Sequence, residues 1–272
     1  MTVAAPGGSG PVILVGCGRL GSAILEGWLA TGAVGASDLI ILTRSDKAAA
    51  EAARAQGARI NPPQSALADA RALVLAVKPA MWRDALAPLV EALPRDIVVI
   101  SVMAGVSAGD IAGACGRRVA RVMPTTAVAQ AQGVAALWSD DAGARRTARD
   151  LFSAMADVVE LKAEAQIDPA TAVAGSAPAF IYAFVQGLAK AGAAEGLAPD
   201  AASRLAAGAL RSAGAGAATG EGLPALIARI ASPGGTTQAG LDAMAQGGDL
   251  DRATEAAVRA AVGRARAYSQ PT

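Results

Sequence analysis

A chain of 272 residues accommodates two modest domains, since domains usually run about 100–200 residues. Hydrophobic residues make up 53%, charged residues 17%, and the net charge is +1, which excludes a disordered chain and offers no basic surface for nucleic acid or membrane. There is no histidine, and the two cysteines, Cys17 and Cys115, have no ligand spacing, so imidazole catalysis, a His/Cys metal site and a disulfide framework are all excluded.

The opening segment, residues 1–10, holds neither a basic residue nor an apolar core and reads as a flexible N-terminus rather than a signal peptide. Val12–Val15 is a short apolar run ending in glycine. Ile24, Leu25, Trp28 and Leu29 follow at helical spacing, which predicts strand, tight turn, helix. Leu39–Leu42 reads as a second buried strand, and an Ala-rich helix is predicted from Asp46 to Gln56, with Asp46 as N-cap. Ala72–Val77 and Ile97–Ser101 are continuous apolar runs of the kind that parallel sheets bury on both faces. Helices are predicted near Met81–Ala92 and Ser107–Cys115, and weaker strands at Val119–Val122, Val134–Leu137 and Val158–Glu160. The alternation predicts a doubly wound α/β sheet.

After about Ala163 strand-like runs vanish and an Ala-rich helical pattern runs from Pro169 to the end. Asp168 reads as the N-cap of a long helix whose first turn holds Pro169. Turns are expected at Gly196–Pro199, Gly220–Pro224, Ser232–Gly235 and Gly247–Gly248. No apolar run reaches the roughly 18 residues of a membrane span, so a cytoplasmic protein is expected. The small residues of these helices permit close approach and predict pairing with a second copy.

Gly16-Cys17-Gly18-Arg19-Leu20-Gly21 fits G-x-G-x-x-G between a strand and an amphipathic helix, the context in which that pattern denotes a dinucleotide site. Gly16 permits the tight turn, Gly18 the approach of the pyrophosphate and Gly21 the packing of helix on strand, while Arg19 and Leu20 open the helix that faces the anion. Cys17 needs only to be small there. An NAD site usually carries an acid at the end of the second strand. Thr43-Arg44-Ser45 stands there instead, and the Arg44 fork with two hydroxyls suits a 2′-phosphate. NADPH is therefore expected, with NADH the second candidate. Ala76-Val77-Lys78-Pro79 ends the strand that begins at Ala72 and Met103-Ala104-Gly105 follows the strand Ile97–Ser101, at the carboxyl ends where ligands sit in open α/β sheets, and both are assigned to the same cofactor.

Ser232-Pro233-Gly234-Gly235-Thr236-Thr237 is a glycine-rich turn feeding a helix that begins at about Thr236. Its N–H groups, with the hydroxyls of Ser232, Thr236 and Thr237, suit an anion such as a carboxylate. A helix start without a ligand is the other reading of the same residues.

With Gln238-Ala239-Gly240-Leu241 this string resembles the signature of the pyrroline-5-carboxylate reductase family. The glycine turn, Ala76–Pro79, Arg121-Val122-Met123-Pro124 and Gly175-Ser176-Ala177-Pro178 agree in order, so the resemblance runs from about residue 11 to 268. It implies a Rossmann-type domain over 11–163 and an all-α substrate and dimerisation domain over 164–272. It further implies homodimers that assemble into larger rings, and reduction of 1-pyrroline-5-carboxylate to proline by NAD(P)H. Ser232, Gly234, Gly235, Thr236 and Thr237 would hold the substrate carboxylate, and the Thr237 hydroxyl would meet the ring nitrogen as the catalytic group. The chain departs from the family pattern at Thr125-Thr126-Ala127, at Ala177 and at Gly222-Leu223, the first beside the expected nicotinamide position.

A protonated imine already draws hydride, so a chain without histidine suffices for this chemistry. The 3-hydroxyacid dehydrogenases share the two-domain plan but need an asparagine one helical turn after a catalytic lysine, and none follows Asn61. A reductase of a related cyclic imine carboxylate and a non-catalytic NADPH sensor stay open.

Overall fold

The structure, a computed structural model, describes residues 10–267; the predicted N-terminal segment therefore lies, but for Gly10, outside the described residues. The chain forms two compact units, one running to Gly175 and resuming at Ala261, the other Ser176–Ala260.

The first unit is built on one eight-stranded sheet. Its strands are β1 (Val12–Val15), β2 (Leu39–Leu42), β3 (Arg59–Ile60), β4 (Ala72–Leu75), β5 (Val98–Ser101), β6 (Arg118–Pro124), β7 (Gly133–Trp138) and β8 (Ala156–Glu160). Their order is β3-β2-β1-β4-β5-β6-β7-β8. The first six are parallel, β7 runs antiparallel to β6, and β8 pairs parallel with β7. The order reverses between β1 and β4, the switch point at which such sheets open a crevice.

Why β1 is apolar throughout follows from its two faces. Val12 and Leu14 join a core with Ile24, Leu25 and Trp28 of α1 (Arg19–Thr31). Ile13 and Val15 join another on the opposite face with Trp82, Leu86 and Ile111, as the two-residue repeat of a strand requires. The indole Nε1 of Trp28 donates to the Leu151 carbonyl at 2.7 Å, so the largest buried side chain has its polar atom satisfied.

Helix α2 spans Ala48–Ala55 and is entered through Lys47, with no side chain capping it; Asp46 lies one residue too early to be the predicted N-cap. The helix expected over Met81–Ala92 is broken into α3 (Trp82–Leu86) between two 3-10 turns, Pro79–Met81 and Ala87–Leu89, because Pro88 has no N–H to continue the ladder. Helix α4 (Ala108–Cys115) is capped by Ser107, whose hydroxyl accepts the Asp110 N–H at 3.0 Å. Helix α5 (Ala142–Phe152) is capped in the same way by Asp141. Burial pushes the Cys115 thiol pKa up, and Cys17 is buried within the glycine turn.

The long helix starts earlier than predicted. Gln166 Oε1 accepts the N–H groups of Lys162 and Ala163, closing a 3-10 turn over Glu164–Gln166. Asp168 and Pro169 then fall inside α6 (Ile167–Ala170), so Asp168 is not the N-cap. Pro178 cannot donate to the Ala174 carbonyl, and the turn before it, Thr171–Ser176, opens to π geometry. Helix α7 (Ala177–Ala194) continues from it. The continuous helical stretch Glu164–Ala194 contains an 18-residue window of mean hydropathy 1.4, long and apolar enough to cross a membrane by length and composition, contrary to the expectation that no run would be.

Helices α8 (Pro199–Ala217), α9 (Leu223–Ile230), α10 (Thr236–Ala245) and α11 (Asp249–Ala267) follow, separated at the predicted turns. Between α7 and α8 Gly196 takes φ +101°, a conformation suited to glycine.

Candidate functional site

The carboxyl ends of β1, β2 and β4 border a cavity of about 610 Å³, lined among others by Gly16, Gly18, Thr43, Arg44, Ser45, Ala76, Val77 and Lys78. A larger hollow of about 840 Å³ lies toward the opposite ends of the strands, along Asp69, Arg71, Asp96 and Arg118. The smaller one is the candidate, because ligands of open α/β sheets bind outside the carboxyl ends.

Its floor is the glycine turn. Gly16 has φ +96°, and a Cβ there would lie 2.7 Å from the Ala76 carbonyl oxygen. Gly16 N–H donates to the Leu42 carbonyl and Ala76 N–H to that of Val15, both at 2.8 Å, so the turn is stitched to β2 and to the end of β4. A Cβ on Gly18 would meet nothing within 4 Å, which leaves its backbone open to a ligand, whereas one on Gly21 would lie 2.2 Å from the Gly16 carbonyl oxygen. Gly18 is also the N-cap of α1, with no side chain capping it and no acid in the first turn. The α1 terminus is thus a set of N–H donors facing the cavity side, which fits a pyrophosphate. Arg19 and Leu20 form its first helical positions.

The wall beyond β2 carries charge. Arg44, Lys47 and Lys78 border the cavity, against one carboxylate, Asp84. Among the described residues no acid pairs with Arg44. Its Nη2 donates only to the Met81 sulfur, at 3.3 Å, a weak acceptor. The guanidinium fork is therefore available to an anion.

Met103, Ala104 and Gly105, after β5, do not line this cavity, and neither does Pro79, which starts the turn after Lys78. Met103 is held from behind. The Arg121 Nη2 donates to its carbonyl at 3.2 Å, and Nη1 donates to Glu164 Oε1 at 3.2 Å. That same carboxylate oxygen accepts the Ala108 N–H at 2.7 Å. Arg121 is 6% exposed and Glu164 26%, so a part-buried ion pair ties β6, the residues after β5, the start of α4 and the start of the long helix together. The departure at Thr125 has a local role: its hydroxyl accepts the Val134 N–H at 3.3 Å and joins β6 to β7.

In the second unit, α9 ends at Ile230 and the chain turns over Ser232–Gly235, with Gly234 at φ +70° and the Gly235 N–H donating to the Ser232 carbonyl at 2.9 Å. A Cβ on Gly235 would lie 2.6 Å from the Ser232 hydroxyl oxygen. Helix α10 begins at Thr236, as predicted, and no side chain caps it. Thr236 and Thr237 are exposed in its first turn. With Gly235 N–H engaged, the amides of Thr236, Thr237 and Gln238 are the donors of an open helix terminus.

Two groups escaped the sequence reading. Asn61 lines the cavity and hydrogen-bonds both backbone groups of Thr43; its isolation as the single asparagine was the available signal. Glu164 escaped as well, though a lone Arg121 in an apolar strand demands a buried partner.

Comparison with known proteins agrees with these features. The family model described as pyrroline-5-carboxylate reductase dimerisation matches residues 164–268, and one described as NADP oxidoreductase, coenzyme F420-dependent, matches residues 11–105. A pyrroline-5-carboxylate reductase of Thermus thermophilus is 37% identical over 242 residues, covering 85% of this chain and 88% of that protein. One of Pseudomonas aeruginosa is 31% identical over 260 residues, covering 92% and 93%. The solved structure of such a reductase from Coxiella burnetii superposes with a TM-score of 0.86 at 26% identity, covering 96% of this chain and 99% of that one. Sheet order, glycine turn, open α10 terminus and likeness along nearly the whole chain converge: this protein belongs to the pyrroline-5-carboxylate reductase family.

Proposed function

We propose that the protein reduces 1-pyrroline-5-carboxylate to L-proline with NADPH, the last step of proline biosynthesis, as a cytoplasmic enzyme. The observation that carries the reading is the Ser232–Gly235 turn opening into the uncapped α10, a receptor for a small carboxylate in a chain of this family. The nicotinamide, when bound, supplies the hydride. Gly16, Gly18 and the first turn of α1, with Arg19, Leu20 and Gly21, seat the pyrophosphate. Thr43, Arg44 and Ser45 receive the 2′-phosphate. Ala76, Val77 and Lys78 would meet the ribose, and Pro79 with Met103–Gly105, which lie outside that cavity, would meet the nicotinamide.

The first amides of α10 and the hydroxyls of Ser232 and Thr236 hold the substrate carboxylate, with Gly234 and Gly235 giving the backbone its close approach. The Thr237 hydroxyl donates to the nitrogen of the neutral imine and passes on a proton from water, and the protonated imine so formed takes the hydride. Fixing the imine carbon against the hydride donor supplies much of the acceleration. The assay is oxidation of NADPH and NADH with pyrroline-5-carboxylate and with its six-membered homologue. Turnover of the five-membered imine is expected, and no turnover of either overturns the reading.

Two substitutions probe the assigned roles. Thr237→Ala is expected to lower kcat about 10–100-fold, a modest loss because the protonated imine needs no strong acid; steady-state rates at saturating imine measure it, and full activity removes Thr237 from the mechanism. Arg44→Ala is expected to raise the KM for NADPH about 10–100-fold, the worth of a charge-assisted hydrogen bond, and to leave that for NADH nearly unchanged. Equal effects on the two cofactors refute the 2′-phosphate assignment.

The span 164–272 is proposed as the dimerisation and substrate domain. No residue of α7 is buried, and Phe180, Ile181, Tyr182, Phe184 and Leu188 are all exposed on it. An apolar surface of that kind calls for a partner, and a second copy of the same helices accounts for it without invoking a membrane. Assembly of such dimers into a larger ring belongs to the same proposal.

A further inference from the structure

Strand β3 has only two residues, paired as Ile40 with Arg59 and Ile41 with Ile60. One more backbone bond extends the ladder, from the Asn61 N–H to the Ile41 carbonyl at 2.9 Å. A parallel ladder advances two residues per step on each strand, so the next donor, to the Thr43 carbonyl, would be residue 63. That residue is Pro63, which has no N–H. The Asn61 side chain takes over: Nδ2 donates to the Thr43 carbonyl at 2.8 Å, and Oδ1 accepts the Thr43 N–H at 2.9 Å. The primary amide thus acts as a substitute peptide unit on the far side of Thr43.

Asn61 reaches this position at φ +45°, in the left-handed region that asparagine tolerates better than other side-chain-bearing residues. From Thr43 the order propagates one step further, its hydroxyl donating to the Ser45 carbonyl at 3.0 Å. Arg44 lies between these two tied residues, with its guanidinium against Met81 and, among the described residues, no ion pair to a carboxylate.

We infer that Asn61 is a positioning residue for cofactor choice: it holds the Thr43–Ser45 turn in the shape that presents Arg44 to a 2′-phosphate, and so sets the preference for NADPH over NADH. The inference rests on the NADPH reading proposed above. It assigns Asn61 no contact with the reacting atoms, so its removal leaves the chemical step alone.

Asn61→Gly is the informative variant, because glycine accepts the positive φ and only the two side-chain hydrogen bonds are lost. Loss of two such bonds should raise the KM for NADPH about tenfold, with the KM for NADH and both kcat values changed by less than about twofold. Isothermal titration with adenosine 2′,5′-bisphosphate and with 5′-AMP gives a readout independent of turnover: affinity for the bisphosphate should fall by the same factor, and that for AMP should hold. Asn61→Asp keeps the acceptor for the Thr43 N–H, loses the donor and brings a negative charge near the phosphate position. It should weaken NADPH and the bisphosphate at least as much, and it carries both readouts should the glycine variant not fold.

Equal weakening of the two cofactors, or no change in either, overturns the inference. A wild-type protein that binds the bisphosphate no better than AMP overturns the NADPH reading itself, whatever Asn61→Gly does. Arg44→Ala acting selectively while Asn61→Gly does not leaves NADPH in place and removes only the role of Asn61.

Discussion

Gly16→Ala is expected to lower NADPH affinity by ~100-fold or more, through strain and overpacking of about 3 kcal/mol at one backbone position. The new methyl would sit 2.7 Å from the Ala76 carbonyl oxygen, 2.9 Å from its carbon and 2.9 Å from a Val77 methyl. Two of those three atoms are backbone and cannot swing aside. The φ of +96° adds a conformation that alanine disfavours. The turn relieves both only by moving away from β4, which pulls the Gly16 N–H from the Leu42 carbonyl and displaces Gly18, the residue with open space beside it. Isothermal titration with NADPH measures the loss. Gly18→Ala serves as a comparison, since its Cβ meets no protein atom and interferes only with what binds there. Native affinity in Gly16→Ala would show that the nucleotide does not lie on this turn.

Glu164→Ala is the second large effect, this time on stability. It strands the Arg121 guanidinium, only 6% exposed, without its counter-charge, and removes the acceptor of the Ala108 N–H. Among the described residues the Arg121 Nε already has no hydrogen-bond partner, so the group keeps only the Met103 carbonyl. Leaving a buried charge without its partner costs about 3–5 kcal/mol, which at about 2–4 °C per kcal/mol for a chain of this size lowers Tm by about 6–20 °C. Arg121→Met should cost less, because Glu164 is 26% exposed, can take up water and keeps the Ala108 bond. Thermal denaturation of the two variants tests the order. Arg121→Met should also loosen Met103, whose carbonyl Arg121 holds, and so lower kcat more than its stability loss alone explains. A Glu164→Ala protein as stable as the parent would show that the pair is dispensable.

Much of the architecture was legible from local pattern. The apolar runs at Val12–Val15, Leu39–Leu42 and the later strands gave the α/β sheet, because a strand buried on both faces leaves an uninterrupted apolar signature. The misplacements have local causes. A two-residue strand such as β3 has no pattern to read. Pro88 divides what periodicity alone would join into one helix. Asp46 and Asp168 are good cap residues placed where the chain does not start a helix, the second because Gln166 closes a turn upstream.

Residue order alone determined the class of the protein: a glycine turn between strand and helix, an arginine where an acid would select NAD, and a second glycine-rich turn entering a helix. These are local features, set by which backbone conformations and donors a short string permits. The tertiary structure decided which distant residues serve them. Asn61 meets Thr43 across eighteen positions, and Glu164 meets Arg121 across forty-three. Both are polar groups satisfied only by partners that sheet pairing and chain reversal bring within 3.2 Å, and no local string encodes such a partner. The arginine at position 44 was visible from the start; the asparagine that orders the turn around it became visible only when β3 was laid beside β2.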